Sequence, residues 1–374
     1  MYLPRKARDP DARPPIAWIG GGGLLAVAAV CTAVVASMPA PYVIEYPGPV
    51  FDVLGQTESN GEKVPMISIP VEETFPTEGA LRLLTVYATP PQRLPSWIDV
   101  VLATFDPQRA VLPVESVYPP GLTREENAEQ ARIDMENSQL SAIAAALHAL
   151  DYELDVELSV AQVQDDAAAQ GILEAGDVIR SIGGIVPATV EELRAEIARS
   201  GADRPLELVI GRGDEELVVE VTPRLSEATA AAEPVPVLGI LVATDFVLPF
   251  TVTIQLDNVG GPSAGMMFAL GIYDKLTPGG LTGGADIAGT GTIDAIGQVG
   301  PIGGIQQKMW GAVGAGADWF LAPVANCVQV VGNVPEGLTV IAVETLEDAI
   351  RAVETIGVGG DTEALPSCES VMQG

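Results

Sequence analysis

Residues 260–265 read GGPSAG and residues 297–308 read GQVGPIGGIQQK, which ends in Lys308. The first segment places Ser263 at the start of a predicted helix, and the second places a lysine after a glycine-rich turn. A serine hydroxyl needs a neighbouring base to become a nucleophile. The chain has four lysines and a single histidine, His148. We therefore interpret Ser263 and Lys308 as the serine–lysine dyad of a hydrolase.

Each segment also has a purely structural interpretation. Ser263 could serve only as a helix cap, because serine is a favoured N-cap residue, and Lys308 could extend its amine to solvent. Two observations favour the dyad. Lysine is scarce in this chain, and Lys308 lies beside Ile305, Met309 and Trp310. Burial among such side chains lowers the pKa of an amine. A lysine needs such a lowered pKa in order to be neutral and act as a base.

The order and spacing of these motifs closely resemble the proteolytic domain of the Lon family of serine–lysine endopeptidases. The chain has Gly261-Pro262-Ser263-Ala264-Gly265, then Thr290-Gly291, then Pro301-Ile302-Gly303-Gly304 before Lys308. The resemblance implies an α+β domain with Ser263 as nucleophile, Lys308 as its base and Thr290 as a hydrogen-bond partner of the lysine. It also implies that Gly261, Pro262 and Ala264 support the nucleophile turn. Many members have an acid three residues before the serine, where this chain has Gly260.

Composition excludes several other classes of function. The formal net charge of −31 argues against nucleic-acid binding, which requires a basic surface. The sequence contains no GxxxxGK[ST] phosphate-binding loop and no cluster of residues with metal-ligand spacing. We therefore expect no ATP, no metal and no other cofactor.

The N-terminal region predicts a membrane anchor. Residues 16–38 contain no charged side chain and are long enough to span a bilayer. Residues 1–15 carry four basic and two acidic side chains, which predicts a cytoplasmic N-terminus. The protein would then be a single-pass protein of the cell membrane, with everything after about residue 40 outside the cytoplasm. The alternative is a signal peptide that is cleaved after Ala36.

Residues 152–224 form a predicted separate module. Its segment GILEAGDVIRSIGG at 171–184 resembles PDZ domains, whose core motif is leucine, two residues, Gly-Asp and alternating apolar residues. PDZ domains bind extended peptides by adding a strand beside a helix. The resemblance implies a peptide-binding groove along Leu158, Val160 and Val163, facing a helix at 189–199. A small β-rich spacer is the alternative.

The remaining boundaries follow from composition. Residues 40–150 form an N-terminal extracytoplasmic region, 225–236 a linker, 237–357 the proteolytic domain and 358–374 a loose tail. Residues 237–357 are short for a Lon-type domain, and the segments at 80–88 and 135–147 faintly resemble its first half. We therefore hypothesise that the PDZ module is inserted into a discontinuous protease domain.

Two cysteines would lie outside the cytoplasm. An oxidising compartment favours disulfides, so we expect Cys327 and Cys368 to pair and to attach the tail to the last domain. Two free thiols are the alternative.

The whole layout is similar to a bacterial group of membrane-anchored, PDZ-containing Lon-family proteases. The resemblance implies an ATP-independent serine endopeptidase that acts on extracytoplasmic proteins or peptides, with the PDZ domain recognising or gating substrates. Lon-type domains commonly form hexameric rings, so homo-oligomerisation is expected. The alternative is a PDZ adaptor of the cell envelope with an inactive protease-like domain.

Overall fold

The computed structural model describes residues 30, 32, 34–59, 61–118, 124–187, 189–202, 204–226, 234–257 and 259–373. The predicted membrane span at 16–38 therefore lies mostly outside the described residues. Among the helices that are described, none is both long enough and apolar enough to cross a bilayer.

Two sheets organise the described chain. A six-stranded sheet contains, from edge to edge, β19 (Thr339–Val343), β18 (Trp319–Pro323), β15 (Asp286–Gly289), β5 (Ala80–Ala88), β1 (Tyr42–Asp52) and β6 (Ala110–Pro113). A five-stranded sheet contains β10 (Glu215–Val221), β9 (Leu206–Arg212), β8 (Val178–Ile182), β7 (Asp155–Val163) and β13 (Ile240–Val247). The other strands form short pairs: β2 (Gln56–Ser59) with β3 (Glu62–Pro65), β4 (Ile67–Ser68) with β14 (Thr253–Ile254), β11 (Arg224–Leu225) with β12 (Pro236–Val237), and β16 (Thr292–Ile293) with β17 (Val299–Gly300).

The helices lie mainly around the larger sheet. They are α1 (Trp97–Ala103), α2 (Val114–Val117), α3 (Arg124–Ala149), α4 (Val190–Ser200), α5 (Gly265–Leu276), α6 (Ile305–Gly314), α7 (Cys327–Val330), α8 (Leu346–Gly357) and α9 (Cys368–Val371). Short 3₁₀ turns occur at Pro91–Arg93, Val324–Asn326 and Thr362–Ala364.

The larger sheet is mixed. Strands β5, β15, β18 and β19 are parallel neighbours, whereas β1 is antiparallel to both β5 and β6. Helix α6 connects β15 to β18, and α7 lies between β18 and β19 along the chain. Alternating parallel strands and helices are typical of α/β architecture. The described chain is therefore mixed α/β, with antiparallel pairing at β1 and β6 and in the five-stranded sheet.

Both faces of this sheet are covered by helices. Successive strand residues point to opposite faces, and Leu81 and Ile287 pack in the core around α5, whereas Leu84 and Ala288 pack in the core around α6. Helix α5 also contacts α3 and α8. The helices that begin after the GGPSAG and PIGG turns therefore lie on opposite sides of one sheet.

The larger sheet draws its strands from two distant parts of the chain. Strands β5 and β15 are hydrogen-bonded neighbours, although the whole five-stranded sheet lies between them in sequence. A bidentate salt bridge from Arg82 to Asp286 joins the same two strands. The small sheet is thus an insertion between two halves of the layer that carries the candidate site.

The boundary predicted at residue 237 is wrong. Strand β13 pairs antiparallel with β7 and forms the last strand of the small sheet, so this module extends to Val247. In the predicted linker at 225–236, residues 227–233 lie outside the described chain. Its two ends pair with each other as β11 and β12.

The predicted loose tail is also wrong, because residues 361–373 pack against the larger sheet. The amide of Ala342 in β19 donates a hydrogen bond to the carbonyl of Pro366, and α9 contacts α7. Cys368 is buried and forms a disulfide with Cys327, with a Cα–Cα distance of 4.9 Å.

The insertion predicts how fragments will fold. A fragment of residues 152–250 contains all five strands of the small sheet, so we expect a cooperative thermal transition by circular dichroism. Residues 152–224 lack β13, and we expect their midpoint to be lower by at least several degrees.

Residues 225–357 lack β1 and β5, which leaves one side of β15 without a partner. We expect this fragment to show no cooperative transition. A sharp transition in this fragment would contradict the discontinuous sheet.

Candidate active site

The serine lies in the turn that leads into α5. Ser263 is half-buried, and Ala264 occupies the N-cap position directly before Gly265. The hydroxyl of Ser263 therefore does not cap the helix, and it is free for other contacts. The structure therefore excludes the interpretation of Ser263 as a helix cap.

Helix α3 fixes the backbone of this turn. The Ser138 hydroxyl donates a hydrogen bond of 2.9 Å to the carbonyl of Pro262. The amide of Gly261 donates one of 2.9 Å to the carbonyl of Ala131. A helix from the first half of the chain thus holds the GGPSAG turn of the second half.

The same helix explains the glycine where many Lon-family members have an acid. A Cβ atom at Gly260 would lie 2.7 Å from the Cβ of Ala131, which is too close for a non-bonded contact. An aspartate at 260 would therefore have to push α3 away from the turn. The close approach of α3 requires glycine here.

Lys308 lies in the first turn of α6, on the far side of the sheet. Its side chain is only 3% exposed. Its Nζ lies 2.8 Å from the Oγ of Ser263 and 2.9 Å from the Oγ1 of Thr290. The structure thus brings Ser263, Lys308 and Thr290 together, although helices α5 and α6 cover opposite faces of the sheet.

Thr290 follows β15 directly and is buried. Its hydroxyl donates a hydrogen bond of 2.9 Å to the carbonyl of Ser263, which also accepts one of 3.0 Å from the amide of Gly291. Because the Thr290 proton is committed to that carbonyl, its oxygen presents a lone pair to Lys308. This geometry orients the amine toward Ser263.

Burial sets the protonation of the lysine. Desolvation lowers the pKa of Lys308 to about 7. The Lys308 amine would then be neutral in about half of the protein molecules at pH 7. A lysine with an ordinary pKa near 10.4 would be neutral in roughly one molecule in 2,500. Lys308 can therefore serve as a proton acceptor near neutral pH.

Glu45 in β1 also belongs to the environment of Lys308. Its Oε2 lies 3.5 Å from the position that a Cβ at Gly304 would occupy, at the start of α6. Burial raises the pKa of Glu45, and the charge of Lys308 opposes that shift. In turn, Glu45 opposes the lowering of the Lys308 pKa. A carboxylate from the first half of the chain thus adjusts the base, and no local motif identified it.

The predicted peptide groove is misplaced. Strand β7, which carries Leu158, Val160 and Val163, pairs with β13 on one side and β8 on the other. Leu158 and Val160 are buried in the core of the small sheet. An interior strand cannot accept another strand, so these residues do not line a free edge.

His148 is exposed near the C-terminal end of α3. Among the described residues, no cluster of three or more His, Cys, Asp or Glu side chains could hold a metal ion.

Comparison with solved structures finds similarity to PDZ domains. The PDZ domain of the SdrC-like protein from Listeria innocua is 24% identical, and the match covers 23% of this chain and 92% of that domain, with a TM-score of 0.20. The corresponding domain from Listeria monocytogenes is 23% identical, with coverages of 24% and 90% and a TM-score of 0.21.

The chain is also similar in sequence to Lon proteases. The Lon protease of Clostridium beijerinckii is 40% identical over 114 residues, which are 30% of this chain and 13% of that protein. Lon protease 2 of Herpetosiphon aurantiacus is 39% identical over 93 residues, 24% of this chain and 11% of that protein. The chain thus covers only a small part of these relatives' length. Residues 258–355, which hold Ser263, Thr290 and Lys308, match the Lon protease (S16) C-terminal proteolytic domain.

Proposed function

We propose that this protein is a serine endopeptidase in which Ser263 and Lys308 form the catalytic dyad. The observation that supports this most directly is the 2.8 Å distance between the Lys308 amine and the Ser263 hydroxyl, at a buried site where the lysine pKa is about 7. The match to the Lon proteolytic domain supports the same reaction class.

In the proposed acylation step, the Oγ of Ser263 attacks the carbonyl carbon of the peptide, and neutral Lys308 accepts the proton of the Ser263 hydroxyl. An Nζ–Oγ distance of 2.8 Å suits this transfer. Lys308 then returns the proton to the leaving amine, and an acyl ester remains on Ser263. In the second step Lys308 deprotonates a water, which hydrolyses the ester and restores the serine.

The oxyanion that forms in both steps needs hydrogen-bond donors. The amides of Gly261 and Met266 already donate to the carbonyls of Ala131 and Gly291. We assign the oxyanion contacts to the amides of Ser263 and Ala264, beside the N-terminus of α5. The positive end of the helix dipole favours negative charge there.

The wider setting is part of the same proposal. The uncharged segment at 16–38 would anchor the chain in the cell membrane, with the catalytic domain outside the cytoplasm and acting on protein substrates there. The sequence contains no phosphate-binding loop, which supports an ATP-independent reaction. By analogy with Lon-type domains, we propose that copies of the chain associate in a ring.

We further propose that the small domain binds extended peptide segments at β13 instead of β7. Strand β13 is the edge strand of its sheet, and helix α4 contacts β12 immediately before it. Leu241 is 59% exposed on this strand. A peptide could therefore extend the sheet at this edge, as PDZ ligands do.

Replacement of either dyad member is expected to abolish peptide hydrolysis. We expect Ser263→Ala and Lys308→Met to lower the cleavage rate of an unfolded fluorescent protein to the uncatalysed background. Lys308→Met also removes a buried amine whose charging is costly, so its thermal midpoint at pH 6 should match or exceed that of the wild type.

An exposed lysine replacement, Lys63→Met, provides the matched control and should retain full activity. Cleavage by Ser263→Ala at a rate near that of the wild type would contradict the dyad. If the wild-type chain neither cleaves the substrate nor reacts with a serine-directed phosphonate, the non-catalytic adaptor would be favoured instead.

The pKa of Lys308 predicts a pH profile. Because only the neutral amine acts as a base, kcat/KM should rise as the pH increases through about 7. Glu45→Gln removes a negative charge that favours the ammonium form, so the midpoint should move to lower pH. The replacement of an exposed glutamate, Glu115→Gln, should leave the midpoint of the pH profile unchanged. An unchanged midpoint in Glu45→Gln would contradict the electrostatic coupling between Glu45 and Lys308.

The peptide site is tested by hydrogen exchange on the full Ser263→Ala chain in the presence of unfolded β-casein. We expect slower exchange in residues 240–247 and 190–200, and unchanged exchange in residues 158–163. Protection confined to 158–163 would contradict the assignment to β13.

A further inference from the structure

Helix α1 presents an apolar surface to solvent. Val100 and Ala103 face the interior, whereas Trp97, Ile98, Val101, Leu102 and Phe105 are exposed, with Phe105 at 82%. Isolated exposed apolar residues are common, but a contiguous group of them marks an interaction surface. We refer to these five exposed residues as the α1 patch.

Hydrogen bonds attach this patch to the end of the predicted anchor. The amide of Trp97 donates to the carbonyl of Met38, and the amide of Ala40 donates to that of Pro95. Trp97 also packs edge-to-face on Tyr42, with ring centroids 5.8 Å apart. The point at which the chain leaves the uncharged segment at 16–38 is therefore fixed relative to α1.

The described end of that segment continues the apolar surface. Thr32, Val35 and Ala36 line one groove together with three members of the α1 patch. Val34, Val35 and Met38 are each more than half exposed. The apolar surface thus runs without a break from the last residues of the uncharged segment onto α1.

We propose that the α1 patch lies in the outer surface of the lipid bilayer, beside the anchor. This inference rests on the membrane anchoring proposed above. If residues 16–38 span the membrane, the contacts of Met38 and Ala40 hold α1 at the lipid–water boundary. Tryptophan and other aromatic side chains are favoured at that depth. An apolar helical face with polar residues on its other sides binds there by burying apolar area.

The surrounding charges support lipid insertion over attraction to anionic head groups. The chain carries a net charge of −31, so acidic lipids would repel it overall. The side of α1 away from the patch has Asp99, which is used in a capping box with Ser96. Neutral phosphatidylcholine vesicles are therefore a suitable probe.

The consequence is a fixed orientation of the catalytic domain. Helix α1 contacts β1 and β6, at one edge of the larger sheet. Helix α8 packs beside β19, at the opposite edge. Two attachments, the anchor and the α1 patch, would hold the β6 edge toward the membrane and direct the β19 edge away from it.

The test uses the full chain in phosphatidylcholine vesicles, with Cys31→Ser to remove the cysteine outside the disulfide. Single cysteines replace Phe105 in the patch, Val34 in the anchor end, or Val358 after α8, and each carries an NBD fluorophore. Val358 is 83% exposed and provides the matched control. Quenching is measured with lipids that carry a shallow nitroxide.

We expect nitroxide lipids to reduce NBD fluorescence at residues 34 and 105 by at least twofold, and to have little effect at 358. Adding Ile98→Asp and Leu102→Asp should abolish most of the quenching at 105 and leave that at 34 unchanged. These two polar replacements lie on the exposed face, so they should not unfold the domain.

Quenching at 34 without quenching at 105 would overturn the proposal and leave the anchor intact. Absence of quenching at both positions would overturn the anchor as well. If unlabelled Phe105→Cys instead forms a disulfide between two copies, and its label is not quenched, the patch binds a second copy of this chain and the proposal is wrong.

Discussion

The buried amine of Lys308, held between Ser263 and Thr290, is the interaction on which the rest of the site depends. A charged lysine at this depth would be costly, and among the described residues its amine has two hydroxyl partners and no bonded carboxylate. The hydroxyl of Thr290 orients the amine, and Glu45 lies close enough to moderate its pKa. The protein thus keeps a lysine near its titration point without neutralising it in an ion pair.

Every element around that amine comes from a different part of the chain. Strand β1 contributes Glu45, helix α3 holds the GGPSAG turn, and strand β15 leads to Thr290. The two helices that follow the glycine-rich turns cover opposite faces of the sheet, and Ser263 and Lys308 meet beyond the carboxyl end of β15, where Thr290 follows the strand. The site therefore requires the complete mixed sheet, including strands that precede the small domain.

The sequence predicted the dyad, the Cys327–Cys368 disulfide and the inserted module, but not the contacts that tertiary packing makes around the site. Ser263, Thr290 and Lys308 lie in or next to short segments with characteristic glycines, and the structure places them together. Glu45 and Ala131 act through tertiary packing across more than a hundred residues, which no local pattern encodes. The resemblance to PDZ domains implies a peptide groove along β7, whose apolar alternation would suit an edge strand. The same alternation suits an interior strand, and only the pairing with β13 distinguishes the two.

The insertion of the small sheet also bears on how the chain folds. Arg82 and Asp286 are 204 positions apart, so the central pairing of β5 with β15 has a high contact order and should form late. The intervening sheet uses strands from one continuous stretch, 155–247, and can form first. Once folded, it brings its two ends together and shortens the effective loop that β5 and β15 must close. The small domain would then assist the folding of the six-stranded sheet.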